Sequence, residues 1–364
     1  MVFLYVFGVV TLVNCVYFFL FSKFAFSDSA PKSNLETQPV SLIVCAKNEA
    51  ENLKKHIPLW LAQDYPNFDL ILINDASIDD TLEVIQSFAE KDSRIQVVNV
   101  KNNEAFWANK KYALTLGIKR SKHKRLVFTD ADCYPASNQW LTTMVSNFSD
   151  EKELILGYGA YKKEKGFLNK LIRFETLMTA VQYFSYAKVG TPYMGVGRNL
   201  AYTSDLYYAV NGFMSHIKVP SGDDDLFVNE AATAKNVAIS TAPNSFTYSI
   251  PKTRRKDWFT QKRRHYSTAK LYKLKHRLSL GIYYIFSLLF WPLAIFVLLG
   301  EFWQIGLAIV LFRLINQYVI IGKASKKLKE QDLVPFLPFF EIFLIFIQLS
   351  IFISNVGEKN SRWK

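Results

Sequence analysis

The sequence predicts an α/β protein with a mostly parallel, helix-flanked sheet and membrane-spanning helices at both ends of the chain. Three observations carry this. Short apolar runs at Val40 to Ala46, Leu70 to Ile73, Ile95 to Val100 and Leu126 to Thr129 alternate with helical patterns, an order that builds parallel strands with helices on both faces. Two of those runs end in acids, at Asn74-Asp75 and at Asp130-Ala131-Asp132, where an open α/β sheet places its ligand crevice. Half of the 364 residues are hydrophobic, with 30 Phe and 19 Tyr. The apolar stretches at the two ends are about 20 residues long, enough to cross a bilayer as helices.

The elements follow in order. Val2 to Phe21 is uncharged, no basic residue precedes it, and Lys23 follows. A cleaved signal peptide has a basic start and a small-residue cleavage site, so residues 1–22 read as a retained anchor. Residues 23–39 are polar, with Pro31 and Pro39, and read as a linker. Residues 40–250 hold the α/β domain. Asn48 to Asn52 opens a helix carrying Leu53, Ile57 and Leu61, and Ser77 with Asp79-Asp80 supplies capping for the helix of Leu82, Ile85 and Phe88. Lys110 to Ile118 is helical by pattern, whereas 154–160 and 193–202 are irregular and rich in glycine and aromatics. Gly195-Val196-Gly197-Arg198 matches part of a dinucleotide fingerprint, but the third glycine and the strand-to-helix context are missing, which argues against a nicotinamide site.

Residues 251–277 form a basic segment. Lys252 to Arg277 carries eleven Lys or Arg and a single acid, interleaved with aromatics, as an amphipathic segment on an anionic leaflet does. Residues 278–364 form a membrane region of two to three spans. Leu278 to Gly300 and Phe302 to Ile321 are separated only by Glu301 and predict a tight helical hairpin, and the lysines from Lys323 to Lys329 mark its cytoplasmic end. Val334 to Ser354 either spans or is re-entrant. Arg313 and Glu341 are expensive in lipid, so each is expected to face protein, water or a polar substrate, and pairing with one another is one way to do so.

Net charge is +13, and the basic excess lies beside the apolar segments. Lysine and arginine flanking membrane spans account for it without nucleic acid. Three cysteines make no disulfide framework and suit a reducing compartment.

Two clusters carry chemistry. Asp130 and Asp132 are one residue apart at a strand end, so both can converge on one point. Two hard oxygen ligands there suit Mg2+ or Mn2+ against a diphosphate. Asp223-Asp224-Asp225 is the second cluster; adjacent acids repel one another, and the cluster serves either as a site or as a turn and cap. Trp60, Trp107, Trp140, Tyr193 and Trp258 are aromatic stacking candidates, and none is assigned.

Read in order, these residues resemble the family 2 glycosyltransferases, in their membrane-bound, cellulose-synthase-like branch. Val40 to Asn52 looks like that family's first strand and nucleotide-binding loop, and Ile73 to Thr81 like its base-contacting motif. Asn109 to Leu114 resembles its Lys-x-x-Ala-Leu element, Asp130-Ala131-Asp132 its metal motif, Gly222 to Asp225 its Glu-Asp motif, and Gln261 to His265 its Gln-x-x-Arg-Trp motif. The resemblance spans about Val40 to Tyr266.

It implies a GT-A fold (Rossmann-like, mostly parallel) and an inverting transfer from a nucleotide-diphosphate sugar, such as a UDP-sugar, to a lipid, lipid-linked or growing glycan acceptor. Ala46, Asn48, Glu49, Asp75, Lys110, Asp130, Ala131, Gln261 and Arg264 are implied to bind the donor, and Asp132 with Asp130 the metal. The catalytic group falls among Asp223, Asp224 and Asp225, and the register leaves Asp224 or Asp223 as the base, with Asp224 preferred. Lysine placement puts the catalytic domain on the cytoplasmic side, in a bacterial inner membrane by the resemblance. His265 stands where the processive relatives have Trp, so a single transfer and a processive synthase coupled to export both remain open.

Overall fold

A computed structural model describes residues 1–28, 38–101 and 110–356. Most of the expected linker, together with Trp107 and Asn109, lies outside the described residues. In chain order the elements are α1 (Val2–Ala25), β1 (Val40–Ala46), α2 (Ala50–Leu61), β2 (Phe68–Asp75), α3 (Thr81–Ala89), β3 (Ile95–Val100), α4 (Lys110–Arg120), β4 (Arg125–Asp130), β5 (Cys133–Pro135) and α5 (Trp140–Val145). There follow β6 (Leu154–Gly157), β7 (Gly159–Tyr161), α6 (Phe167–Lys188), β8 (Leu200–Thr203), α7 (Ser204–Ala209), α8 (Asp225–Ala231), β9 (Val237–Ser240), β10 (Thr247–Ser249), α9 (Arg255–Tyr266), α10 (Leu274–Leu298), α11 (Trp303–Lys327) and α12 (Leu337–Val356). The chain divides into two compact units. One contains 29–163 and 190–252; the other contains 1–28, 164–189 and 253–359. Residues 164–189 lie within the expected 40–250 domain but belong to the unit of the terminal helices.

The first unit is built on a seven-stranded sheet in the order β3-β2-β1-β4-β8-β6-β9. β1 runs parallel to both β2 and β4, and β2 parallel to β3. Every residue of β2 is buried, and all of β1 except Cys45, which is why both read as continuous apolar runs: their two faces are covered. Leu42, Val44, Leu53, Ile57, Trp60, Leu70, Leu72, Trp140 and Leu141 form one core cluster. Register aligns the strand ends: Ala46 is opposite Asn74, and Cys45 opposite Asp130. The carboxyl ends of β1, β2 and β4 therefore open at one rim.

The stretch expected to be irregular contains β8, which runs antiparallel between β4 and β6. Its signal is tertiary: Tyr202 stacks on Phe128 at 4.4 Å and packs against Phe227 at 4.4 Å. A second, three-stranded sheet, β5-β10-β7, lies in the same unit.

The second unit contains α1, α6 and α9 to α12. Four of its helical stretches, Val2–Ala25, Leu274–Leu298, Trp303–Lys327 and Gln331–Asn355, are long and apolar enough to cross a membrane. The expected hairpin is present as α10 and α11. The last stretch starts with a 3-10 turn, Gln331–Phe336, and continues as α12.

Arg313 and Glu341 pair: Arg313 Nη1 donates to Glu341 Oε2 at 2.8 Å, and Nη2 also reaches Asn14 Oδ1 at 3.2 Å. The guanidinium lies 4.4 Å from the ring centre of Phe290. The sequence reading missed α6, an almost fully buried helix with no polar face to mark its period. Its Arg173 is held by Glu330 and by Asp332 (Nη1 to Oδ2, 2.9 Å), and its Glu175 pairs with Lys262 of α9.

Candidate active site

The loops after β1 and β2 are stitched together. Asn48 has φ +57° and Ala76 φ +48°, a left-handed conformation that costs energy for a residue with a Cβ. Asn48 Oδ1 accepts from Ile78 N (2.9 Å), and Asn48 N donates to Ser77 Oγ (3.0 Å). Asp79 accepts from Ala50 N at the start of α2 and from Thr81 N at the start of α3. Asp79 thus serves both helix starts, while Asp80 makes no side-chain cap.

These contacts tie Asn48 and Glu49 to the loop that follows Asp75, and Ala46 lies opposite Asn74. The Asp75 carboxylate is buried, and its Oδ2 has no hydrogen-bond partner among the described residues. Burial pushes its pKa up, with Lys47 and Lys110 opposing. Burial also raises the pKa of Glu49, to which the charges of Asp132 and Asp130 add.

Lys110, the first residue of α4, joins the two acidic clusters. Its Nζ lies 2.6 Å from Asp130 Oδ1 and 3.0 Å from Asp223 Oδ2. Burial disfavours the charge on Lys110, but Asp130 and Asp223 outweigh it and hold the ammonium well above its usual range. Burial likewise disfavours the Asp223 carboxylate, and Lys110 more than offsets this, so Asp223 stays below the ordinary range.

Asp224 differs from its neighbour. Its Oδ2 accepts from Gly197 N and its Oδ1 from Asp225 N, each at 2.7 Å. Burial, with the charges of Asp223 and Asp225, still holds its pKa up at about 7. Asp225 Oδ1 accepts from Leu226 N in the first turn of α8. Lys110, Thr129, Asp130, Gly197, Asp223 and Asp224 line one cleft, and Asp225 is outside it.

Asp130, Asp132 and Cys133 offer atoms within 4.8 Å of one another. Burial and the Asp130 charge push the Asp132 pKa up. Among the described residues its carboxylate is hydrogen-bonded only by the Cys133 thiol, at 3.4 Å. That thiol is buried between two carboxylates, which pushes its pKa well up and keeps it a neutral, poor ligand. Two crowded hard oxygens, one from Asp130 beside Lys110 and one from Asp132 with no ion pair of its own, fit Mg2+ or Mn2+.

The sheet unit therefore brings together Ala46, Asn48, Glu49, Asp75, Lys110, Asp130, Ala131, Asp132 and the acidic run from Asp223 to Asp225. Gln261 and Arg264 lie on α9, in the other unit. Sequence reasoning missed three supporting side chains. His56 Nδ1 is 2.9 Å from Ala131 O in the middle of the metal motif. Arg198 faces Tyr161 at 4.3 Å and donates to Ser249 Oγ. Lys111 binds backbone carbonyls 105 and 108 residues away. No local pattern marks such contacts. The glycine-rich Gly195 to Arg198 stretch, which resembled part of a nucleotide fingerprint, serves Asp224 through the Gly197 amide.

The glycosyl transferase family 2 profile matches residues 41–201. A UDP-Glc:alpha-D-GlcNAc-diphosphoundecaprenol beta-1,3-glucosyltransferase of Escherichia coli is 32% identical over 132 residues, 35% of this chain and 48% of that protein. A poly-beta-1,6-N-acetyl-D-glucosamine synthase of Staphylococcus epidermidis is 22% identical over 241 residues, 66% of this chain and 54% of that protein. The chain thus spans about half the length of these two relatives. A mannosyltransferase from Pyrobaculum calidifontis, solved with GDP-Man and Mn2+, has a TM-score of 0.63 at 15% identity and covers 99% of both chains, which is a likeness of fold. Residues 41–201 thus match glycosyl transferase family 2, and the mostly parallel sheet with its strand-end acidic rim has the GT-A fold.

Proposed function

We propose that the protein is a membrane-bound, inverting glycosyltransferase that moves a sugar from a nucleotide-diphosphate sugar to a lipid-linked or growing glycan acceptor. The observation that carries this reading is the cleft in which Lys110 ties Asp130 to Asp223 and Asp224 lines the same wall. It sets Asp130 of the diphosphate-side acid pair and the high-pKa carboxylate of Asp224 around one space.

Asp75, with an unpartnered buried oxygen, accepts an N–H of the nucleotide base, and Asn48 and Glu49 border that subsite. Asp132 with Asp130 holds Mg2+ or Mn2+. The chemistry supplied by that ion is neutralisation of the diphosphate leaving group. Asp224 takes the proton of the acceptor hydroxyl as its oxygen attacks the anomeric carbon, and the nucleoside diphosphate leaves from the opposite face. One displacement inverts that centre, so an α-linked donor gives a β-linked product. Asp223 is the poorer base, because Lys110 stabilises its charged form. Four helices long and apolar enough to cross a membrane support a membrane-bound enzyme, and in this reading it works at the cell membrane of a bacterium with the sheet unit on the cytoplasmic side.

The alignment to the Staphylococcus epidermidis synthase covers 66% of this chain and supports a second reading, a processive synthase coupled to export. Membranes containing the protein, screened against nucleotide sugars with and without lipid-linked acceptors, test both. Release of nucleoside diphosphate with a single-sugar adduct supports the first, and a ladder of products the second. Absence of turnover with every donor would sink both.

A further inference from the structure

Lys111 is the residue after Lys110, and its side chain is almost completely buried. Its Nζ donates to the backbone carbonyls of His216 (2.7 Å) and Val219 (3.1 Å). The His216 ring continues the chain: Nε2 lies 3.0 Å from the Gly222 carbonyl, which accepts. Gly222 has φ +97°, and a Cβ there would meet Leu226 at 2.5 Å, so this position requires glycine. Three carbonyls of the 216–222 segment are therefore pinned, and Asp223 and Asp224 follow at once.

Burying an ammonium is costly, and two neutral carbonyls do not balance its charge. Burial outweighs the opposing charges of Asp223, Asp225 and Asp224 and brings the Lys111 pKa down to about 8, so those carboxylates offset only part of the cost. Were packing all that mattered here, a methionine would fill the space without the desolvation cost. The two lysines divide the work: Lys110 holds the Asp223 side chain, and Lys111 holds the backbone that leads to it.

We infer that Lys111 is a positioning residue for the base, setting the Gly222-to-Asp224 backbone through the carbonyls of His216 and Val219 and the His216–Gly222 hydrogen bond. This rests on the reading of Asp224 as the group that takes the acceptor proton. A misplacement of about 1 Å at a reacting group costs roughly 10²-fold in rate, so the effect belongs in kcat and leaves donor binding alone.

The test compares the full-length Lys111→Met, His216→Ala and double variants with wild type, with Asp224→Asn run alongside. Turnover is read with a donor and acceptor identified by the nucleotide-sugar screen, and nucleoside-diphosphate affinity by titration. Lys111→Met should lower kcat by about 10- to 100-fold while nucleotide affinity stays within roughly threefold. His216→Ala should act in the same direction, and the double variant should be less than the product of the two, because both act through one segment. A normal kcat in Lys111→Met, or nucleotide affinity that falls in step with kcat, overturns the inference. If Lys111→Met does not fold, His216→Ala reads the same link, and normal turnover there overturns it. Normal turnover in Asp224→Asn removes the base assignment and this inference together. A dead Asp224→Asn beside a normal Lys111→Met removes this inference alone.

Discussion

The two units bury charge in opposite ways. In the unit of terminal helices buried charges meet opposite partners: Arg313 has Glu341, Arg173 has Glu330 and Asp332, and Lys262 has Glu175. In the site of the sheet unit the acids outnumber the cations, since Lys110 and Lys111 face Asp75, Asp130, Asp132 and the run from Asp223 to Asp225. Lys110 serves Asp130 and Asp223, while Asp132 is left with a thiol and Asp75 with an unpartnered oxygen. A closed pair holds structure, because it has already met the cost of desolvation. An open carboxylate at a strand end is a cost that only a ligand repays. The contrast separates architecture from chemistry within one chain, with no appeal to relatives.

The largest test of that contrast is to disarm the open acids. Asp224→Asn is nearly isosteric; transfer should fall by about 10² to 10⁴, the usual worth of a general base, while the protein purifies and binds nucleotide. Near-normal transfer in Asp224→Asn beside a dead Asp223→Asn would move the base by one residue.

Chelation should likewise stop turnover, and Mn2+ or Mg2+ should restore it. In Asp132→Ala the cation should no longer protect the protein or tighten nucleotide binding in a titration. Full activity after exhaustive chelator treatment would count against the metal site.

Breaking a closed pair should do the reverse, harming stability more than chemistry. Arg313→Met leaves Glu341 buried and alone, which costs roughly 3–5 kcal/mol for such pairs. Arg313→Met combined with Glu341→Met should recover most of that loss in a detergent unfolding assay. If the single variant is as stable as wild type, the pair is not a structural lock.

The smallest effect is on pH. With Asp224 at about 7, the base is ionised above that value and protonated below it. kcat/KM should therefore rise about tenfold per unit as pH approaches 7 from below, then level off. A profile flat from pH 5 to 8 would show that no group with this pKa controls transfer.

Much of the sheet unit was legible in the sequence because its signals are local. β1 and β2 are apolar runs with acids at one end, and the capping chemistry of Asp79 follows two residues before Thr81. Elements held by distant contacts were not legible. β8 depends on Phe128 and Phe227, far from it in sequence. α6 has no polar face, because almost all of it is covered. Within the candidate site, Asp130, Asp132 and the 223–225 cluster stand out as dense acids. Lys111 and His56 could not stand out, since their partners are backbone atoms of other segments. The Arg313–Glu341 pair falls between these cases: two isolated charges in apolar stretches announce that partners exist without naming them.

The Asn14–Arg313 contact has a consequence for biogenesis. Its partners are 299 residues apart. At about 5–20 residues per second of synthesis, roughly 15–60 s pass before the third span emerges to meet the first. The Asn14 amide nitrogen donates to Val10 O within α1 and to Phe286 O of α10, so the second span reaches this side chain before the third brings Arg313 to its oxygen. α10 can therefore meet α1 first, through Asn14 and Tyr17, and the buried Arg313–Glu341 pair closes last, when α11 and α12 arrive.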